Sequence, residues 1–412
     1  MVASGERRAA PVAVAGVAGV PWVTVRRGAV TAYLLVLLSY VVLVGVPLDR
    51  VGLTIWIVVG LSVLCIGKGW RAWGRMMLDW LPFQGILLAY DYSYGAASHF
   101  DGPQRAGFPA EGARNELGMP LHVTLPVDVD KWLFGGQLPS QWLQEHLHAN
   151  LQTSPWWSVF VTLCYVSHFV VSPVVAAALW IWARDKFRVW VKLLIALAVA
   201  GITTYFLFPM SPPWLASAQG YIPGADVLRI SGQGWAWLGF HGAGQVLSDG
   251  QARSNPVAAM PSLHMATATL VAGFFWFGVR RWVRPLLLLY PALMAFTLVY
   301  SGEHYVTDEI VGVLYAAVLL TAWRLLRRRS RRREVADGEA LLGTPERAVD
   351  VVQHGRGEAE AVRAEADGRV QPDERGVGLA QEVQGQVDVG EHQLGRPDPG
   401  RDAVGGVDQH HV

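Results

Sequence analysis

Charge and cysteine are scarce in this sequence. Only 16% of its 412 residues are charged, and it holds two cysteines, Cys65 and Cys164. Soluble chains carry about a quarter charged residues, so the deficit excludes an ordinary soluble globule. Both cysteines fall in apolar stretches, which leaves neither a disulfide framework nor a thiolate zinc site. No internal repeat marks a solenoid. All 18 tryptophans lie before Arg324, so the material for a packed core ends there.

What the chain has is apolar length. Hydrophobic residues make up 52% of it and the mean hydropathy is +0.28. Eight stretches read as membrane spans: approximately Val30–Leu48, Val51–Ile66, Met76–Ala97, Trp156–Ala183, Val189–Phe208, Pro261–Val279, Pro285–Ser301 and Val306–Leu326. The third is interrupted by Asp79, Pro82, Asp91 and Gly95, and polar groups at membrane depth face other helices or a wet cavity. The expected architecture is all-α: a polytopic integral membrane protein of about eight transmembrane helices, with a six-helix catalytic bundle and a disordered C-terminal tail. The expected division is a cytoplasmic N-terminal segment 1–28, a transmembrane catalytic domain 29–334 with its core at about 60–326, and an acidic tail 335–412.

A net charge of +1 conceals two opposed parts. Residues 1–334 hold 27 Lys and Arg against 17 Asp and Glu, and residues 335–412 hold 7 against 16. The basic residues cluster beside apolar spans, where they set topology, and no nucleic-acid partner is implied. Twenty-one of them fall on one side of the expected bilayer, from Arg7 through Lys68, Arg184 and Arg280 to the run Arg324–Arg333. Arg50, Arg105, Arg114, Lys131, Arg229 and Arg253 fall on the other. Both termini are therefore expected in the cytoplasm, in a multi-pass protein of the cell membrane without a cleavable signal. Of the two long outer loops, residues 98–155 carry Trp132, Phe134 and Trp142 among polar residues, as interfacial helices do. The tail, aromatic-free and acidic, is assigned no function, and neither are His410 and His411.

Polar residues converge at the outer ends of two spans. Met260-Pro261-Ser262-Leu263-His264 opens the sixth. With proline at the first helical position, Ser262 and His264 sit in the first turn, among outward N–H groups that suit an anion. Gly302-Glu303-His304-Tyr305-Val306-Thr307-Asp308 opens the eighth, and a spacing of four puts His304 and Asp308 on one helical face. A histidine backed by a carboxylate is an oriented nucleophile or base, and a second histidine can protonate a leaving group. Arg253 and Asn255 lie just before the first motif; Arg253 reads equally as a phosphate clamp or a plain loop charge. Ser262 reads as a helix cap, a phosphate ligand or both. His168, mid-span, reads first as an interhelical contact. A metal site of His264, His304 and Asp308 lacks supporting ligand spacing, and no metal or organic cofactor is called for.

Pro261-Ser262-Leu263-His264 and His304-x-x-x-Asp308 resemble the second and third signatures of the type-2 phosphatidic acid phosphatase superfamily. More narrowly, Gly302-Glu303-His304-Tyr305, Pro212-Pro213-Trp214 and Ser167-His168-Phe169 are similar to its inositolphosphotransferase-like branch, which includes fungal inositol phosphorylceramide synthase and actinobacterial relatives. The resemblance covers roughly residues 60–326. It implies that His304 is the nucleophile, Asp308 its orienting partner, His264 the general acid and Ser262 a phosphate contact. It also implies a phosphorylated lipid as substrate, hydrolysed at the extracytoplasmic face through a phosphohistidine, with transfer to an alcohol as the alternative. The chain departs from the superfamily in two places. Leu298 stands where an arginine is usual six residues before the nucleophile, and only Arg75 and Leu81-Pro82 echo the first signature. A reading from another class, a transporter or structural membrane protein, would lead one to expect paired halves and charges deep within the spans, and neither is visible.

Overall fold

The computed structural model describes residues 21–44, 50–97, 99–148, 154–252 and 254–342. The chain divides into two units, Met1–Leu326 and Arg327–Val412, and the residues of the site below all belong to the first. The described residues are mostly helical: α1 Trp22–Leu43, α2 Arg50–Leu64, α3 Trp70–Ala97, α4 Thr124–Leu133, α5 Pro139–Leu147, α6 Ser158–Trp182, α7 Arg184–Leu207, α8 Pro213–Ala218, α9 Gln233–Trp237, α10 His241–Ala252, α11 Leu263–Phe275, α12 Arg284–Tyr300 and α13 Val306–Leu342.

Each of the eight apolar stretches falls on a helix: α1, α2, α3, α6, α7, α11, α12 or α13. Among the described residues, five helical segments are long and apolar enough to cross a membrane: Trp22–Leu43, Ser158–Trp182, Arg184–Leu207, Arg281–Tyr300 and Val306–Arg333. The protein is thus a multi-pass, all-α membrane protein. Gly52–Leu64 and Leu263–Phe275 are apolar but shorter. The largest differences from expectation are at two ends. α1 begins at Trp22, because Val23 to Arg27 continue the helix on the N-terminal side of the apolar run. α13 continues past Leu326 through the arginine run to Leu342, since Arg, Glu, Ala and Leu are good helix formers and no proline intervenes. The expected tail beyond residue 342 and the N-terminal segment before residue 21 lie outside the described residues.

One apolar core unites α3, α6, α7, α11 and α13 around Trp80, Trp190, Ala266, Leu270 and Ala316, all buried. Large rings and small alanines both belong to it, which lets neighbouring helices interdigitate. Gly312 marks one close approach of two helices. A Cβ there would stand 2.5 Å from the Ser262 carbonyl oxygen and 3.2 Å from the Ala266 nitrogen, so only glycine lets α13 lie against the start of α11. A second core, built from Leu121, Val123, Val127, Met210, Leu215, Val257 and Tyr305, packs the two long loops between spans together. Two antiparallel strand pairs, Phe100–Asp101 with Arg114–Asn115 and Gln104–Arg105 with Phe108–Pro109, shape the first loop. The expected interfacial helices of that loop are α4 and α5, which leave Trp132, Phe134 and Trp142 exposed.

Candidate active site

The site forms where α11 and α13 begin. Ser262 is the N-cap of α11, not a residue of its first turn as expected with Pro261 at the first helical position. Its Oγ accepts the Met265 N–H at 3.3 Å, so the hydroxyl serves as the cap. Its own N–H donates to the Asp308 carbonyl oxygen at 3.1 Å, which ties the two helix starts together. His264, the second residue of α11, is thereby carried to the opening of α13.

Gly302 has a φ of 71°, and a Cβ there would meet the Leu228 carbonyl oxygen at 2.7 Å. This left-handed turn reverses the chain after α12. Leu298, in its last turn, then accepts main-chain N–H groups from both Glu303 and His304, at 3.0 and 3.3 Å. Leu298 itself is fully buried in an apolar cluster with Met294, Tyr165 and Trp235. The position at which the superfamily carries its arginine is therefore core in this chain.

His304 Nδ1 lies 2.8 Å from Asp308 Oδ2, and both residues are buried. The four-residue spacing thus produces the contact it predicts, although His304 itself lies just before α13. The His264 and His304 rings are 5.7 Å apart between centroids, tilted by 59°. His264 Nε2 is buried and has no hydrogen-bond partner among the described residues. Around it, α6 contributes Tyr165, stacked at 5.0 Å, and His168, at 4.1 Å. His168 thus stands beside the predicted pair, on the same face of α6 as Tyr165, three residues earlier.

Of the remaining expected residues, Asn255 turns its Oδ1 back onto its own loop, where it accepts the Val257 N–H at 3.0 Å. Arg253 lies outside the described residues, as does the side chain of Asp91. Asp79 binds at the other end of the bundle, accepting from Trp180 Nε1 and Arg184.

Two residues that the sequence did not single out lie about the start of α13, Asp130 and Arg229. Asp130 of α4 accepts the Val306 N–H at 2.9 Å and the Thr307 N–H at 3.0 Å, with the Thr307 hydroxyl also donating to it. A carboxylate from another helix therefore caps α13, next to His304. Burial pushes the Asp130 carboxyl above its ordinary range, against the three hydrogen bonds that favour its ionised form. Arg229 donates Nε and Nη2 to the two oxygens of Glu303, each at 2.9 Å, and Ser231 and Gln251 also donate to that carboxylate. Nothing local in the sequence marks Asp130 or Arg229, because their partners are about 176 and 74 residues away.

The helical membrane bundle thus brings a His–Asp pair beside a second histidine at adjoining helix starts. Residues 137–322, which contain both histidine motifs, match the PAP2 superfamily. Over 120 residues it is 31% identical to the phosphoinositol dihydroceramide synthase of Bacteroides thetaiotaomicron, an alignment covering 27% of this chain and 37% of that protein. This chain therefore spans little more than a third of that relative's length; the likeness falls in the inositolphosphotransferase-like branch. No solved structure matches significantly.

Proposed function

We propose that the protein is a membrane-embedded lipid phosphatase that works through a phosphohistidine. The observation that carries this reading is the 2.8 Å contact of His304 Nδ1 with Asp308 Oδ2, with the His264 ring beside it. When Nδ1 carries the proton donated to Asp308, the Nε2 lone pair of His304 is left for attack. Nε2 bonds to phosphorus and the bond from phosphorus to the lipid oxygen breaks. Protonated His264 gives its proton to that departing oxygen. Neutral His264 then removes a proton from water, whose oxygen attacks phosphorus as the P–N bond breaks; phosphate leaves and His304 is restored.

The second reading, a head-group phosphotransferase, is favoured by one observation: the aligned relative is named a synthase. Here an alcohol replaces water in the second step and nothing else changes. In either case the substrate is a lipid whose phosphate reaches the outer face while its tails stay in the bilayer, and both chain termini are cytoplasmic. That sidedness rests on the 21-to-6 division of basic residues. The test is product identity. Lipid phosphates labelled at phosphorus are offered to the full chain in bilayers, with and without inositol or lipid alcohols. Release of free phosphate alone supports the phosphatase; label moving to the added alcohol supports transfer. No turnover of any lipid phosphate, in a protein that remains folded, would reject both.

A further inference from the structure

Two sequence features take no part in the proposed chemistry: Glu303, immediately before His304, and Trp214 of the Pro212-Pro213-Trp214 run. Both hold one side chain. Glu303 receives Arg229 through two parallel hydrogen bonds, and the Arg229 guanidinium carbon lies 4.9 Å from the centre of the Trp214 ring. Gln251 and Ser231 also donate to Glu303 Oε1, at 3.0 and 2.6 Å. Arg229 also meets the Tyr165 hydroxyl, and the Tyr165 ring is the one stacked on His264. The cation thus adjoins both histidines: His304 through Glu303, and His264 through Tyr165.

We propose that Arg229 is the phosphate-binding cation of this protein, replacing the superfamily arginine that Leu298 displaces. The inference rests on the reading of His304 and His264 given above. A guanidinium has five N–H donors, and Glu303 occupies two of them in a fixed plane. The remaining donors can receive phosphoryl oxygens without the guanidinium having to turn. Arg229 retains 24% of its side-chain exposure and Glu303 only 7%, so the pair is closed on the carboxylate side and open on the guanidinium side. Burial by itself would weaken the charge, but the Glu303 carboxylate outweighs it and keeps Arg229 firmly protonated. Leu298, fully buried among apolar side chains, cannot give way to an arginine, so the cation arrives from the loop between α8 and α9. Glu303, Gln251, Ser231 and Trp214 are positioning residues for it.

The rival account is a purely structural ion pair that clamps residues 229–231 to the turn before His304. Binding of inorganic [32P]phosphate to the full chain in detergent separates the two, alongside thermal unfolding of each variant and trapping of phosphohistidine. Wild type is expected to bind phosphate. Arg229→Lys, which keeps the charge and loses the fork, is expected to bind about 10-fold more weakly, in keeping with a charge-assisted hydrogen bond. The double variant Arg229→Met/Glu303→Gln leaves no lone buried charge, so it is expected to stay folded and to bind at least about 100-fold more weakly. A folded double variant that binds phosphate within twofold of wild type overturns the proposal, as does a wild type that binds none. Should the double variant not fold, unchanged phosphate affinity in Arg229→Lys overturns it instead. Phosphate binding that depends on Arg229 without any phosphohistidine would reject the catalytic reading and leave the binding site standing. Phosphohistidine formed equally well in the Arg229 variants would do the reverse.

Discussion

The Asp130 carboxylate accepts the N–H of Val306 at 2.9 Å, so α4, a helix of the first long loop, caps the helix that carries Asp308. The opening turn of α13 has no capping side chain of its own in that role. The orientation of the His304–Asp308 pair therefore depends on α4 staying docked.

Replacing Asp130 with alanine is expected to leave the Val306 and Thr307 N–H groups without their carboxylate acceptor and cost about 0.5–2 kcal/mol of stability, typical of a lost N-cap. Asp130→Asn keeps one acceptor oxygen and should cost less. Thermal unfolding in detergent reads the stability, and turnover should fall in parallel. A variant as stable and as active as wild type would show that the cap is incidental.

The two histidines are separable by leaving group. His304→Ala should abolish turnover and any trapped phosphohistidine. His264→Ala should lose about 10²–10⁴-fold on a lipid phosphate, the usual range for a general acid, yet lose less on p-nitrophenyl phosphate, whose leaving group needs no proton. Asp308→Asn should misorient the imidazole without removing the covalent step. Equal losses on both substrates in His264→Ala would reject its role as an acid.

Gly312→Ala should force α13 away from α11, because the new Cβ would lie 2.5 Å from the Ser262 carbonyl oxygen. Both unfolding temperature and activity are expected to drop. Gly250→Ala in α10, where a Cβ meets nothing within 4 Å, is the matched control and should behave as wild type. Matching behaviour of the two variants would mean that the close approach of the helices is not needed.

Sidedness is testable at exposed positions; Ala259 and Ser301, beside the motifs, are buried. Asp226→Cys, in the second outer loop, should react with an impermeant thiol reagent in intact cells. Asp185→Cys, at the start of α7, should react only after permeabilisation. The opposite pattern would invert the topology.

The apolar spans, the asymmetry of basic residues and the His304-x-x-x-Asp308 spacing were legible in the sequence, because each is a local property. Bilayer thickness fixes span length, and one helical turn fixes the contact between residues four apart. The meeting of His264 with His304 was inferable only as two motifs at one expected depth; their 5.7 Å ring separation came from Gly312 and from the bond between Ser262 and Asp308. The Asp130 cap, the Tyr165 and His168 rings beside His264 and the Arg229–Glu303 pair were decided by tertiary structure alone. Their partners are distant in the chain, and an isolated Asp or Arg in an outer loop looks like any solvated charge. Only packing that removes water gives such a residue one fixed partner, because a buried polar group must find one.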